Sequence, residues 1–139
     1  MRDTELKRMR DQALYQVYKE GLEKGAFASL REAGHYTANH KAPSFFIDAR
    51  TASLAVSKME QGYALLHVSP STHRKIKVLY ERYKEWRAKH PFSILTMERA
   101  LEVLVDEEAP EFFLEDESAR KIIQRMCKEK RDTTIERLK

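Results

Sequence analysis

Glycine, proline and cysteine are all scarce in this chain: four glycines, four prolines and a single cysteine among 139 residues. So few glycines disfavour the loops that cradle phosphates, and the chain contains no G-x-G-x-x-G, Walker or G-x-S-x-G motif. The lone Cys127 excludes an internal disulfide and is typical of a reducing compartment. With 42% hydrophobic and 35% charged residues, the composition predicts a folded, mainly helical protein.

Long apolar runs are also lacking. No segment approaches the roughly 20 apolar residues that a membrane-spanning helix needs. The N-terminus, "MRDTELKRMRDQ", is charged from its second residue and has no apolar core of the kind found in signal peptides. These absences predict a cytoplasmic protein without a membrane partner.

Signatures of catalysis and metal binding are weak. The five histidines form no H-E-x-x-H motif and none is spaced from Cys127 as a zinc ligand would be. The carboxylates between Glu98 and Glu117 are typical of a solvated acidic segment. The sequence therefore predicts no catalytic residue, no metal site and no cofactor.

What the chain does contain is an internal repeat. The segment "LYQVYKEGLEKGAF" (14–27) matches "LYERYKEWRAKHPF" (79–92) at seven positions, and Leu30 and Leu95 keep the same offset of 65. Further on, "APSFFIDARTA" (42–52) matches "APEFFLEDESA" (109–119) at an offset of 67, so the second copy has gained two residues. Ordered matches with one small gap predict a tandem duplication.

Each copy is predicted to form three helices. In the first copy, apolar periodicity places helices at about 4–24, about 29–40 and from Asp48 to the region of Gly62. In the second, a helix capped by Ser69 ends before Pro91, and helices at about 94–107 and from Asp116 follow. The predicted first repeat is 1–62, a linker or short strand covers 63–72, and the second repeat is 73–139.

The fold predicted from this pattern is mainly α. The two three-helix units are expected to pack as one compact, pseudo-two-fold domain with a shared core. Residues 63–68, "YALLHV", are the best strand candidate and leave a short two-stranded ribbon open. In the duplicated phrase, proline ends one helix, the phenylalanines anchor the connector in the core, and an acidic residue starts the next helix. Each buried phenylalanine contributes about 1.5–3 kcal/mol.

Charge suggests a partner. The net charge of +4 permits nucleic-acid binding, and the helix beginning near residue 70 is its most basic segment. The second and third helices of the first repeat could form a helix-turn-helix, although the connector is longer than usual and Arg50 corresponds to Glu117 in the second copy. The candidate DNA- or RNA-binding residues are Arg50, Thr51, Ser53, Arg74, Lys75, Lys77, Arg82, Lys84 and Arg87.

The duplicated phrase also resembles a pattern in small helical proteins of Bacteroidetes-type bacteria. In those proteins an Ala-Pro, an aromatic pair and a helix-starting polar residue follow a helical segment. The resemblance implies a bacterial setting and lends no catalytic residue to this chain.

The sequence therefore predicts a binding protein and not an enzyme. Nucleic-acid binding ranks first, through the basic helix and the helix-turn-helix-like first repeat. The alternative is a protein-interaction or scaffold module, including one that associates with further copies of itself through its blocks of opposite charge.

Overall fold

The structure, a computed structural model, describes residues 3–131. Within that range the chain is mainly helical, with six helices and no strand. They are α1 (Asp3–Lys24), α2 (Leu30–Ala38), α3 (Ala49–Glu60), α4 (Pro70–Lys89), α5 (Met97–Leu104) and α6 (Asp116–Glu129). The outermost parts of the predicted repeats, residues 1–2 and 132–139, lie outside the described residues.

Two helix starts follow the expected capping chemistry, whereas Glu115, which precedes α6, makes no side-chain cap hydrogen bond. The side chain of Asp48 accepts a hydrogen bond from the Thr51 amide at 3.3 Å, and α3 begins at the next residue. Ser69 accepts from the Thr72 amide at 3.2 Å, with Pro70 in the first helical position of α4. Both caps were predicted and both are confirmed, because side-chain oxygens satisfy amides that have no partner inside the helix. Gly62, with φ of 83°, directly follows the C-cap of α3.

Helix α5 is shorter than the predicted range 94–107. Thr96 caps it by accepting a hydrogen bond from the Arg99 amide at 3.2 Å, so the helix cannot include Ile94. Ile94, the first residue of the predicted range, lies before the helix and is 97% exposed. Ala100, Leu101 and Leu104 form the buried face of the helix.

The strand predicted at 63–68 is not found. These residues form turns and irregular chain and are mostly exposed, and Tyr63 and Leu66 are 65% and 74% accessible. The one strand-like pairing in the described chain is an isolated antiparallel bridge between Ala42 and Ala109. A short apolar run alone does not make a strand where no second segment offers its backbone groups.

The helices group into two compact units, and the chain passes three times between them. The central unit contains Ser44–Glu107, and the chain up to Leu6 also belongs to it. The terminal unit contains Lys7–Pro43 and the chain from Glu108 onward. Accordingly α3 packs on α4 and α5, while α2 packs on α6. Each unit takes helices from both predicted repeats, so the units do not follow the repeat boundaries, and a single shared core stays a prediction.

The connectors that follow α2 and α5 exchange equivalent backbone hydrogen bonds. Ala42 and Ala109 donate to each other's carbonyls at 2.9 and 2.8 Å. The Phe45 amide donates to the Val105 carbonyl at 2.9 Å, and the Phe112 amide donates to the Ala38 carbonyl at 3.2 Å. Each phenylalanine amide thus satisfies a carbonyl at the end of the other repeat's second helix, where the helix itself supplies no donor.

The aromatic pairs sit in matching conformations. Phe45 and Phe112 are 1% and 3% exposed, as expected for core anchors. Phe46 and Phe113 both adopt a positive φ, 51° and 56°, a region that bulky residues seldom occupy. The Phe46 amide donates to Ser44 Oγ at 2.9 Å, which helps to hold this turn. The connectors are therefore specific structures that the surrounding contacts hold in place.

A close contact joins α2 to α6 in the terminal unit. A Cβ atom added to Gly34 would lie 2.6 Å from the backbone oxygen of Asp116 and 3.1 Å from the Arg120 Cβ. Only glycine allows the two helices to approach this closely.

Nearby, the buried Asp11 of α1 pairs with Arg10 and with Arg125 of α6. Hydrogen bonding to Asp11 raises the pKa of Arg125 above its ordinary value, against the opposing effect of burial.

We expect Gly34→Ala to destabilise the protein. The gain in helix propensity is about 1 kcal/mol, whereas forcing a methyl group against a backbone carbonyl costs about 1–3 kcal/mol or more. The net loss, on the order of 1–2 kcal/mol, should lower the urea midpoint at an unchanged slope. Ser118→Ala on the exposed side of α6 is the control and should stay within about 0.5 kcal/mol. Equal stability of the two variants would contradict the close contact.

Candidate nucleic-acid interface

The basic helix α4 carries seven lysines and arginines against two glutamates. Its apolar residues Ile76, Leu79 and Tyr83 are buried, so the remaining positions face outward or flank the core. In the central unit α4 packs directly on α3. The start of α3, with its predicted contact residue Arg50, therefore belongs to the same unit as the basic helix.

The helix-turn-helix interpretation of the first repeat does not fit this packing. It requires α2 and α3 to pack together, yet α2 belongs to the terminal unit with α6 and α3 to the central unit. The chain crosses between units at the connector, which is why sequence adjacency misleads here. The structure instead packs α3 on α4. The predicted residues of α3, which are Arg50, Thr51 and Ser53, therefore belong to the same unit as the predicted basic residues of α4.

The nine predicted residues differ in exposure. Six are exposed: Arg50, Thr51, Arg74, Lys77, Lys84 and Arg87. Three are partly buried: Ser53, Lys75 and Arg82. Thr51 donates its amide to the Asp48 cap, and the Ser53 hydroxyl donates to the Arg50 carbonyl at 3.0 Å, so both have local structural roles.

Two of the arginines on α4 are held against the fold. The Arg82 guanidinium lies 4.9 Å from the centre of the buried Phe45 ring and 4.0 Å from a Glu107 oxygen. Arg87 hydrogen-bonds Glu60 at 3.1 Å and lies 5.6 Å from the Tyr83 ring centre. Hydrogen bonding to Tyr83, and then to Glu60, raises the pKa of Arg87 above its ordinary value. Both cations support the packing of the central unit.

Lys77 and Lys84 form the more available part of the surface. They are seven residues apart, so they lie on the same side of α4. Both are exposed, and the Lys84 ammonium sits 4.5 Å from the centre of the Tyr80 ring. Glu81 and Glu85 are also exposed, and Glu81, four residues after Lys77 and three before Lys84, lies on the same face of the helix as the two lysines. Lys89, in the last turn, is a further exposed cation that the list of candidates omitted.

The loop between α4 and α5, residues 90–96, exposes apolar side chains. Phe92 is 95% exposed, Ile94 97% and Leu95 52%. The sequence match paired Phe92 with Phe27, but Phe27 is only 9% exposed and stacks on Tyr18 with ring centres 5.7 Å apart. Two features of the sequence could have indicated this difference. The second copy has two extra residues in this region, and it has Trp86 where the first copy has Gly21.

A polar cleft lies between α2 and α6 in the terminal unit. It is lined by Arg31, Glu32, His35, Tyr36, Asp116, Glu117 and Arg120, with Ala26 at one side. Two pairs of its polar side chains are in contact: His35 Nδ1 lies 2.8 Å from an Asp116 oxygen, and Arg120 lies 3.1 Å from Glu117. Across residues 3–131, no group of three or more histidine, cysteine, aspartate or glutamate side chains is arranged to hold a metal ion.

Comparisons of the chain with protein-family models, with curated proteins and with solved structures found no match. None of the helices between residues 3 and 131 combines the length and apolar character needed to cross a membrane.

We expect the basic residues of α4 to differ in how much they contribute to stability: some support the packing of the fold, and others do not and are free to bind a ligand. Arg82→Ala removes a guanidinium from the face of Phe45 and should cost about 1 kcal/mol of unfolding free energy. Lys77→Ala, on an exposed position of the same helix, should change it by less than about 0.5 kcal/mol. Urea unfolding of both variants checks this difference. A loss as large for Lys77→Ala would mean that this lysine supports the fold.

Proposed function

We propose that the protein binds nucleic acid through the central unit and has no catalytic activity. The observation that carries this proposal is the packing of α3 on α4, which groups Arg50 with the exposed lysines of the basic helix. Phosphate groups are the partners that such cations fit best, because binding releases the counterions condensed along the backbone. The proposed contacts are Lys77 and Lys84, together with Lys89 and Arg50.

Three of the proposed cations, Arg50, Lys77 and Lys89, have no ion-pair partner among residues 3–131. The Lys84 ammonium lies 4.5 Å from the centre of the Tyr80 ring, which is a contact with an aromatic face and not an ion pair. Exposed lysines of this kind bind phosphate as point charges and carry no base specificity. The proposal is therefore one of backbone binding, without a defined sequence.

We also infer that the chain is a tandem duplication whose third helices are exchanged. The matching hydrogen bonds of Phe45 and Phe112, the shared positive φ of Phe46 and Phe113, and the Ala42–Ala109 bridge support this inference. The helix caps Ser29 and Thr96 stand 67 residues apart, as do Ala42 and Ala109. This register places Met97, and not Leu95, opposite Leu30, and it locates the two extra residues in the loop before α5.

The second candidate function is a protein-interaction or scaffold module, including self-association. The exposed apolar side chains of the central unit favour it, since large apolar groups at full exposure often mark contact sites. Nucleic acid ranks first because seven of the nine charged residues of α4 are basic.

We expect Lys77→Gln/Lys84→Gln to weaken binding of nucleic acid without lowering stability. Each lost phosphate contact should reduce the slope of log affinity against log salt by about 0.9 for duplex DNA and about 0.7 for a single strand. Fluorescence anisotropy of a short labelled duplex and its single strand, over a salt series, measures this slope.

The matched control is Lys121→Gln/Lys128→Gln, which removes the same charge from exposed positions of α6. It should bind with nearly wild-type salt dependence. Equal losses in the two double variants would show that only net charge matters. If the wild-type protein binds neither probe at low salt, the proposed function fails.

A further inference from the structure

We propose that the loop 90–96 inserts Phe92 and Ile94 against unstacked bases, so that the preferred ligand is single-stranded or locally unpaired nucleic acid. This inference rests on the proposed function and adds a substrate class to it. It starts from a difference between the two halves of the chain.

In the terminal unit, the space beside Tyr18 is filled by a residue from the following loop. Phe27 stacks on Tyr18 with an interplanar angle of 8° and meets the edge of Tyr36 at 5.6 Å between ring centres. Gly21 makes room for this cluster: a Cβ atom there would lie 2.9 Å from Tyr36 and 3.2 Å from Phe27. The absence of a side chain at position 21 is thus what allows Phe27 to be buried.

In the central unit, Trp86 stands at the position that matches Gly21. Its ring stacks on Tyr83, the counterpart of Tyr18, with ring centres 6.3 Å apart and an interplanar angle of 18°. The tryptophan therefore supplies from the helix itself the aromatic partner that Phe27 supplies from a loop. Phe92 has no such role left in the core, and it is exposed.

The loop is nevertheless an ordered structure. His90 caps α4, stacks on Trp86 at 4.8 Å, and its Nδ1 lies 2.9 Å from the Trp86 carbonyl oxygen. The Ser93 amide donates to the His90 carbonyl at 3.1 Å, and the Leu95 amide donates to Ser93 Oγ at 3.2 Å. These turns hold Phe92 and Ile94 outward on either side of Ser93. An apolar tip whose backbone is held by hydrogen bonds is suited to insertion, because less conformational entropy is lost on binding.

Charge identifies the occupant. The last turn of α4 carries the exposed Lys89 immediately before the loop, and the exposed Lys84 precedes it on the same helix. A base that has left its stack offers an apolar face, and the adjoining phosphate offers the negative charge that these side chains attract. Phenylalanine and isoleucine are among the residues that nucleic-acid-binding proteins place against base faces. One strand of nucleic acid can therefore engage both these lysines and the loop.

The test is Phe92→Ser/Ile94→Ser, assayed by anisotropy against a labelled single strand and against the same strand fully paired. Because both side chains are exposed, the variant should unfold at the wild-type urea concentration. We expect about 10-fold weaker binding to the single strand, little change on the duplex, and an unchanged salt slope. Phe92→Trp should keep single-strand affinity. Leu66→Ser, an exposed apolar position on another loop, is the control and should bind as wild type.

The outcomes separate this inference from the function on which it rests. If the wild-type protein binds neither probe, the proposed function itself fails. If it binds but the double serine variant loses nothing on the single strand, the role of the loop is overturned while nucleic-acid binding stands. If sedimentation shows wild-type dimers that the double serine variant dissociates, with single-strand affinity intact, the loop serves self-association and the inference is again overturned.

Discussion

The pairing of the two connectors is the constraint on which the rest of the structure depends. Ala42 and Ala109 bond to each other, and the amides of Phe45 and Phe112 satisfy carbonyls at the ends of α5 and α2. Buried backbone groups left without partners are costly, so these bonds determine where each connector runs. They also direct α3 and α6 away from the helices that precede them in sequence. Both units acquire their third helix in this way.

The same plan is filled differently in the two units. Gly34 lets α6 approach α2 closely, whereas the corresponding position of α5 is the fully buried Leu101. Gly21 admits Phe27, whereas Trp86 takes that space and leaves Phe92 outside. These are exchanges of large for small side chains that keep a core filled, which interiors tolerate when the total volume is conserved. Phe92, which has no place left in the core, then becomes part of the surface. Our proposals for function concern that surface.

Local features of the fold could be predicted from the sequence because their causes are local. The caps at Asp48 and Ser69, the proline at the start of α4, and the buried face of α6 all depend on residues within a few positions. The packing of α3 on α4 and α5, and of α6 on α2, could not be predicted, since the apolar faces alone do not say which helix each one covers. For the candidate site, the basic helix was evident, but the grouping of Arg50 with it was not. The exposure of Phe92 could not be predicted either, because Trp86 occupies the place in the core that Phe92 would otherwise fill. The spacing of apolar residues along a helix does not show which of two aromatic side chains is buried.

The path of the chain also sets an order for the completion of its parts during synthesis. The central unit consists chiefly of the contiguous segment Ser44–Glu107, so its three helices emerge from the ribosome one after another. The terminal unit joins residues from the two ends of the chain, as in the pairs Asp11–Arg125 and His35–Asp116. Its α1 and α2 are synthesised before the helices of the central unit, and α6, which covers α2, is synthesised after them. While the central unit is being made, the face of α2 that α6 later covers therefore has no partner helix.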